Sequence, residues 1–137
     1  MVVDDDPTTL QVLCAVLEQR GYKVTPRETS LGTSSAILRE KIDVALLDVR
    51  MPGLSGDRLA TLLADRPTGH ALIVILHSSM TRAKLEKLAQ VSGAAGIIEK
   101  TGNPEEFLHR FEEIVARAQR SAVLPPASKE ARREQHR

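Results

Sequence analysis

Aromatic residues, cysteines and long apolar segments are all scarce in this sequence. Aromatic residues make up only 2% of the 137 residues, which argues against stacking platforms for single-stranded nucleic acid. The single cysteine, Cys14, excludes an internal disulfide and fits a reducing compartment. It lies on the apolar face of a predicted helix, where a buried, inert thiol is expected. No apolar run approaches about 18 residues, and no signal peptide is visible. These absences predict a cytoplasmic protein that does not enter a membrane.

Length and composition suit one globular domain. Hydrophobic residues make up 42% and charged residues 27% of the chain, so a packed core is expected, built from Leu, Ile, Val and Ala. The net charge of +1 is unevenly spread: residues 120–137 carry five basic and two acidic residues, a net +3, which leaves −2 for residues 1–119. A mildly acidic compact part argues against nucleic-acid binding by that part.

Five strand patterns and five helix patterns alternate along the chain. Short connections imply a parallel sheet with helices on both faces, and five units favour a doubly wound sheet over an eight-stranded barrel. The predicted strands cover 1–3, 22–27, 42–48, 72–76 and 94–98, and the helices begin near 7, 33, 56, 81 and 104. The folded domain is expected to cover 1–119. The segment 120–137 is expected to be a mobile tail or linker.

Several local signals refine these elements. Asp6 followed by Pro7 predicts the cap of the first helix, and Pro26 predicts an edge strand. The first strand is short, which indicates that the sequence begins inside it or that residues precede it. A break in the third helix is expected at 67–69. That helix is expected to turn three leucines inward, namely Leu59, Leu62 and Leu63.

The stretch 45–53 is the centre of the functional prediction. It begins as an apolar run typical of a strand buried on both faces, ends in Asp48, and stops at the turn signal Pro52-Gly53. An acid at the carboxyl end of a buried strand lies where open α/β sheets bind ligands. A purely structural acid is the alternative interpretation, although an unpaired buried charge is unfavourable.

Other strand ends also carry polar groups: Asp4 and Asp5 follow the first strand, Ser78 the fourth and Lys100 the fifth. In a doubly wound sheet these ends lie at one edge, so the groups are expected to converge on Asp48. Three carboxylates at close range repel, and a hard divalent cation such as Mg²⁺ offsets them. Together with a lysine and a hydroxyl, these groups predict an aspartyl-phosphate site.

With these motifs the chain resembles the receiver domain of two-component response regulators. The matching stretches are Val2-Val3-Asp4-Asp5-Asp6, residues 46–53, Ser78-Ser79 and Glu99-Lys100. Each motif alone is weak, but four in the right order at strand ends are specific. The resemblance covers residues 1–119 and implies a flavodoxin-like α/β fold of five strands, in the order 2-1-3-4-5, with five helices.

The resemblance also implies a role for each site residue. Asp48 would be the phosphoacceptor, and Lys100 would pair with the phosphoryl group. Mg²⁺ would be bound by Asp5 directly, by Asp4 mainly through water, by Asp48, and by the backbone carbonyl of Arg50. The phosphoryl donor would be a sensor histidine kinase or a phosphotransfer protein. The domain would not be an enzyme beyond assisting its own phosphotransfer and dephosphorylation.

Four positions bear on the switching mechanism. Ser78 takes the place of the family's switch hydroxyl. Thr101 stands where the family usually has a proline after the lysine, which predicts a loop that is trans and differently shaped, or strained. Ile97 replaces the switch aromatic, so a ring-burying rotamer change cannot operate. His77 occupies a normally apolar position, where a packed histidine is expected and tuning of the site is the alternative.

Two other functions compete with a phosphorylation-dependent receiver. A pseudo-receiver, acting as a phosphorylation-independent interaction module, is favoured by Thr101 and Ile97. A Mg²⁺-dependent phosphatase needs an acid two residues after the nucleophile, where this chain has Arg50. A flavin carrier would need stacking aromatic residues, which are nearly absent here. A P-loop protein would need a Gly-rich run ending in Lys-Ser or Lys-Thr, which this sequence does not contain. The output partner or domain is unknown, a homodimer is possible, and the sequence indicates neither nucleic acid nor membrane as a partner of this domain.

Overall fold

A computed structural model describes residues 1–65 and 71–123 of the chain. The predicted break at 67–69 and the segment beyond 123 lie outside the described residues. The strands are β1 (Val2–Val3), β2 (Pro26–Arg27), β3 (Val44–Asp48), β4 (Ile73–Ser78) and β5 (Gly96–Glu99). The helices are α1 (Pro7–Gln19), α2 (Thr33–Glu40), α3 (Gly56–Ala64), α4 (Arg82–Ser92) and α5 (Pro104–Val123).

All five strands are parallel and follow the order β2-β1-β3-β4-β5. The predicted doubly wound fold is therefore confirmed. Side chains alternate between the two faces of the sheet. One face packs on α1 and α5 through residues such as Leu46, Ile75 and Phe111. The other face packs on α2, α3 and α4 through residues such as Leu47 and Leu85.

The helix starts follow from side chains that satisfy free backbone amides. Asp6 caps α1 by accepting a hydrogen bond from the amide of Thr8 at 3.2 Å, with Pro7 as the first helical residue. Asn103 Oδ1 accepts from the amides of Glu105 and Glu106 at 3.0 and 3.3 Å at the start of α5. Both caps lie in loops at the carboxyl edge of the sheet, so they fix the backbone on which the polar groups sit.

The second strand is shorter than predicted. The sequence indicated a strand over 22–27, whereas β2 contains only Pro26 and Arg27. Its neighbour β1 pairs Val2 with Pro26 and Val3 with Arg27, so no β1 residue in strand conformation lies beside 22–24. A strand is defined by its partner, and β-forming residues without one do not form a ladder. The prediction that this strand lies at the sheet edge is confirmed.

Three further details differ from the sequence-based expectation. Leu62 of α3 is 45% exposed, while Leu59 and Leu63 are buried, so the inward face of this helix is narrower than predicted. Cys14 is only partly buried, although burial still raises the pKa of its thiol. Helix α5 continues to Val123, past the domain boundary expected at 119. Within the described residues, no helix is both long and apolar enough to cross a membrane.

Candidate functional site

The carboxyl edge of the sheet brings together the three predicted carboxylates. Asp4 and Asp5 follow β1, and Asp48 is the last residue of β3, the strand paired with β1. One carboxylate oxygen from each of the three lies within 4.8 Å of the others. Asp4 and Asp48 are buried, whereas Asp5 is exposed. The cluster therefore opens to solvent on the side of Asp5.

Lys100 supplies positive charge to this cluster. Its Nζ lies 2.9 Å from Asp4 Oδ2 and 3.4 Å from Asp48 Oδ1, and its side chain is only 24% exposed. Burial alone would lower the pKa of Lys100, but the hydrogen bond to Asp4 and the charges of Asp48 and Asp4 outweigh it and raise this pKa. The lysine is therefore held in its charged form between two buried acids.

Asp48 is held in an environment that disfavours its charge. The residue is only 4% exposed. Burial, and then the neighbouring charge of Asp4, raise the pKa of Asp48 to about 6, although Lys100 acts in the opposite direction. Its Oδ1 also accepts a hydrogen bond from the amide of Arg50 at 3.4 Å. Within the described part of the chain, the recorded polar contacts of this carboxylate all fall on Oδ1, which leaves Oδ2 for another ligand.

Asp6 serves the helix rather than the cluster. Its carboxylate accepts from the hydroxyl of Thr9 at 2.7 Å and from the amide of Thr8, and these hydrogen bonds lower its pKa. The backbone amide of Asp6 in turn donates to Asp4 Oδ1 at 2.9 Å. The capped turn thus orients the buried Asp4, and the predicted cap role of Asp6 is confirmed.

Ser78 lies close to the cluster without joining it. The residue ends β4 and is 1% exposed. Its Oγ accepts a hydrogen bond from the amide of Met80 at 3.2 Å, and its backbone carbonyl accepts one from the amide of Lys100 at 2.8 Å. No recorded hydrogen bond among the described residues links its hydroxyl to an acid of the cluster. The sequence predicted the position of this side chain but not its partner.

Gly56 is a site residue that the sequence analysis treated only as a helix start. Its amide donates to the carbonyl of Val49 at 3.1 Å. A Cβ at this position would overlap the backbone carbonyl group of Asp48. Only glycine therefore lets α3 begin so close to the end of β3. The sequence did contain a signal for this role, because Gly56 follows the turn at Pro52-Gly53 and closes the loop that contains Arg50.

The loop after Lys100 adopts the first of the two shapes predicted for it. The described peptide bonds include no cis bond, so the bond before Thr101 is trans. Thr101 Oγ1 accepts a hydrogen bond from the amide of Asn103 at 3.3 Å, and Gly102 between them has φ +79°. A hydroxyl-stabilised turn thus replaces the family's proline and leads directly into the cap of α5.

Two unusual side chains flank the site on opposite faces of the sheet. Ile97 is buried in the cluster formed with α2, α3 and α4. His77 is 5% exposed and packs on the other face, with its ring centroid 5.5 Å from that of Phe107. Burial, and then the charge of Lys100, lower the pKa of His77 to about 4. The expected packed histidine is confirmed, and it is neutral at neutral pH.

The five-stranded parallel sheet with helices on both faces defines a doubly wound α/β protein, and the acidic cluster and Lys100 lie at the carboxyl edge, where such sheets bind ligands. The model of the response regulator receiver domain matches residues 1–112. The chain therefore belongs to the response regulator receiver domain family.

Individual relatives agree with this assignment. The chain is 31% identical to Protein PilH of Pseudomonas aeruginosa over 117 residues, covering 85% of this chain and 96% of PilH. It is 33% identical to the transcriptional regulatory protein KdpE of Mycobacterium tuberculosis over 125 residues, covering 90% of this chain but 54% of KdpE. The chain therefore spans nearly all of PilH and about half of KdpE.

Solved structures share the fold. The chemotaxis response regulator CheY4 of Vibrio cholerae superimposes with a TM-score of 0.76 at 21% identity, covering 82% of this chain and 94% of CheY4. The CheY-like receiver domain protein of Methanospirillum hungatei superimposes with a TM-score of 0.73 at 24% identity, covering 88% of this chain and 94% of that protein. At these identities the likeness concerns the fold alone.

Proposed function

We propose that this receiver domain accepts a phosphoryl group on Asp48 from a sensor histidine kinase or a phosphotransfer protein. The observation that carries this proposal is the position of Asp48, buried at the end of β3 with Lys100 on Oδ1 and with no recorded partner on Oδ2 among residues 1–65 and 71–123. A carboxylate oxygen attacks phosphorus, the bond from phosphorus to the donor's imidazole nitrogen breaks, and the donor histidine leaves. The product is an aspartyl phosphate.

The carboxylate cluster fits a hard divalent cation. One oxygen from each of the three carboxylates lies within 4.8 Å of the others, and in the described part of the chain their ion pairs are with a single cationic side chain, Lys100. Mg²⁺ prefers oxygen ligands and keeps several waters, which suits an exposed Asp5 beside a buried Asp4. Asp4, Asp5, Asp48 and the backbone carbonyl of Arg50 would hold it. When bound, Mg²⁺ supplies positive charge to the equatorial oxygens of the phosphoryl group.

Lys100 and Ser78 act on the phosphoryl group after transfer. Lys100 Nζ is already 3.4 Å from Asp48 Oδ1, so it pairs with a phosphoryl oxygen without moving far. Ser78 exchanges its hydrogen bond with the amide of Met80 for one to the phosphoryl group. That exchange pulls on the loop between β4 and α4. The face formed by α4, β5 and α5 then changes its affinity for an output partner or a second copy of the domain.

The domain itself catalyses no reaction other than its own phosphotransfer and dephosphorylation, and it acts in the cytoplasm.

A pseudo-receiver is the second candidate, and one observation favours it. Ile97 is packed into the core beneath α4 in place of the family's mobile ring, so the usual rotamer coupling between Ser78 and the output face is missing. In a pseudo-receiver the same face would bind its partner without phosphorylation.

Intact-mass measurement separates the two candidates. The full chain is incubated with acetyl phosphate and Mg²⁺, with a histidine kinase as a second donor. A gain of one phosphoryl group that is lost in Asp48→Asn supports the receiver function. Asp43→Asn is the matched control, because it removes an exposed acid from the chain just before the same strand begins. No gain with either donor would favour the pseudo-receiver.

A further inference from the structure

The first turns of α1 and α5 enclose a cavity between them. Both helices begin at the carboxyl edge of the sheet, and further along they are joined by an ion pair of 2.7 Å between Arg20 Nε and Glu112 Oε1. Near their starts lies a cavity of about 240 Å³, lined by α1 on one side and by the segment 99–104 and Phe107 on the other. We call it the α1–α5 cavity.

The two walls of the α1–α5 cavity are mainly apolar. Val12, Leu13 and Val16 lie on one face of α1, because residues three and four positions apart are neighbours on a helix. Pro104 and Phe107, from the first turn of α5, line the other side. Removing carbon surface of this kind from water is favourable. The walls therefore favour a ligand with an apolar body.

His77 is a polar side chain between these apolar walls. It lies on β4 opposite Asp48 of β3, is 5% exposed and lines the cavity. Within residues 1–65 and 71–123, no recorded hydrogen bond involves its ring, which packs on Phe107. A buried polar group without a hydrogen bond is unfavourable, and a neutral imidazole offers one donor and one acceptor. A ligand hydroxyl both donates and accepts, so it would satisfy whichever ring nitrogen faces the cavity.

The charges around the cavity favour an uncharged ligand. Lys100 lines the cavity, but its Nζ is 2.9 Å from Asp4 Oδ2 and 3.4 Å from Asp48 Oδ1, so its charge is already matched. Glu99, which also lines the cavity, is negative and exposed. Among the described residues, the lining therefore offers no unpaired cation to an anionic ligand, and burying an unpaired charge is costly.

The size of the cavity and the polarity of its mouth favour a small molecule over a protein partner. A cavity of about 150 Å³ holds benzene, so about 240 Å³ suits one aromatic ring with a small substituent. Val12, which is 46% exposed, is the one exposed large hydrophobic residue lining the cavity within the described part of the chain. Thr8, Thr101 and Asn103 are exposed and polar. A stable protein interface buries about 800 Å² on each partner around an apolar core, which a single valine does not provide.

We propose that the α1–α5 cavity binds an uncharged molecule built on one aromatic ring with a hydroxyl group, that is, a phenol. The ring lies between Val16 and Phe107, and the hydroxyl forms a hydrogen bond with the imidazole of His77. Because Lys100 lines the cavity as well as the acidic cluster, the bound molecule lies beside the residue that pairs with Asp48. Binding requires neither Mg²⁺ nor phosphoryl transfer and is therefore independent of the proposed function.

Phenol and toluene are suitable probes, because they have nearly the same shape and differ in the hydroxyl. Each is titrated into the full chain without Mg²⁺ or a phosphodonor, and binding is followed by the amide NMR shifts of Leu13, His77 and Phe107. Phenol is expected to bind about three- to tenfold more tightly than toluene, since one hydrogen bond contributes about that much. A purely apolar cavity would prefer toluene, because it would leave the hydroxyl of phenol without a partner.

Three variants locate the site. His77→Leu removes the hydrogen-bonding ring and keeps an apolar side chain, so the preference should reverse in favour of toluene. Val16→Phe should fill the cavity and weaken the binding of both probes at least about tenfold. Val91→Phe makes the same substitution at an exposed position of α4 outside the cavity, and it should leave both affinities unchanged. Thermal melting shows that each variant is folded.

The absence of amide shifts with both probes up to about 10 mM would overturn the proposal. Tighter binding of toluene than of phenol by the unsubstituted chain would contradict it, as would an unchanged preference for phenol in His77→Leu. Binding that survives Val16→Phe in a folded protein would place the site elsewhere and would also overturn it.

Discussion

Two buried groups at the site should have opposite effects on stability between pH 4 and pH 6 when no metal is bound. The pKa of Asp48 is raised from 3.8 to about 6, mainly by burial and to a smaller extent by the charge of Asp4. The pKa of His77 is lowered from 6.5 to about 4, mainly by burial and to a smaller extent by the charge of Lys100. Folding therefore favours the neutral form of both groups. The neutral form of Asp48 carries its proton, whereas the neutral form of His77 has lost one.

The signs follow from which state binds more protons. Between pH 6 and 3.8 the folded state protonates Asp48 and the unfolded state does not, so its contribution is complete below 3.8 and is lost as the pH rises through 6. Between pH 6.5 and 4 the unfolded state protonates His77 and the folded state does not, so its contribution is complete above 6.5 and is lost as the pH falls toward 4. Each group contributes about 1.4 kcal/mol per pH unit within its window, about 3 kcal/mol in all.

Because the two pH windows overlap, the opposite pH dependences that Asp48 and His77 give to the free energy of unfolding cancel from about pH 6 to pH 4. Removing one group should expose the other. In Asp48→Asn the free energy of unfolding should fall by about 2–3 kcal/mol more than in the unsubstituted protein as the pH is lowered from 6 to 4. In His77→Gln it should instead rise relative to the unsubstituted protein over the same range. The double variant should follow the unsubstituted protein, since other carboxylates titrate alike in all four chains.

Urea denaturation at half-unit steps from pH 4.0 to pH 7.5, with EDTA present, measures these differences. Comparing variants at each pH removes the general acid sensitivity that all four proteins share. Parallel profiles for Asp48→Asn and the unsubstituted protein would refute the raised pKa of Asp48. Parallel profiles for His77→Gln and the unsubstituted protein would refute the lowered pKa of His77. Either result would mean that burial at this sheet edge is less complete than the structure indicates.

Three further predictions concern the same edge of the sheet. Gly56→Ala should lower the free energy of unfolding by about 1–3 kcal/mol, measured with urea, because the added Cβ overlaps the backbone of Asp48; an unchanged midpoint would contradict this overlap. Lys100→Met should raise the pKa of Asp48 above 6, followed by NMR of its carboxyl carbon, because it removes a cation 3.4 Å away; an equal or lower value would contradict this. Millimolar Mg²⁺ should raise the melting temperature, and Asp5→Asn should abolish most of that increase while Asp43→Asn preserves it.

The convergence of the site was predictable because it depends on topology rather than on side-chain detail. Once the chain is seen to alternate strands and helices in a parallel sheet, every strand end lies at one edge. Asp4, Asp48 and Lys100 were therefore expected to meet at the carboxyl edge, although the exact register still had to place their side chains together. The same logic does not fix a hydroxyl that rotates about a single bond. Ser78 lies where expected, but its bond to the amide of Met80 was not predicted.

The wrong predictions concern the length of a strand and the burial of a side chain, and both depend on neighbouring segments of the fold. The sequence predicted a strand from residue 22, yet residues 22–24 form no ladder because no β1 residue in strand conformation lies beside them. Leu62 fits an apolar helical stripe, yet it is 45% exposed while Leu59 and Leu63 of the same helix are buried. Local propensity states what a segment prefers, and only the partner decides whether that preference is satisfied.

The raised pKa of Asp48 couples its ionisation to the charge of its surroundings. With a pKa of about 6, roughly nine in ten of these carboxylates are ionised at pH 7, and about half at pH 6. In the metal-free site this carboxylate therefore loses half of its charge only about one pH unit below neutrality. Positive charge placed beside Asp4 and Asp5 would lower this pKa, and below pH 6 its binding would release a proton from Asp48. Acid would therefore weaken cation binding through Asp48, and the ion pair of Lys100 with Asp4 would weaken it at Asp4.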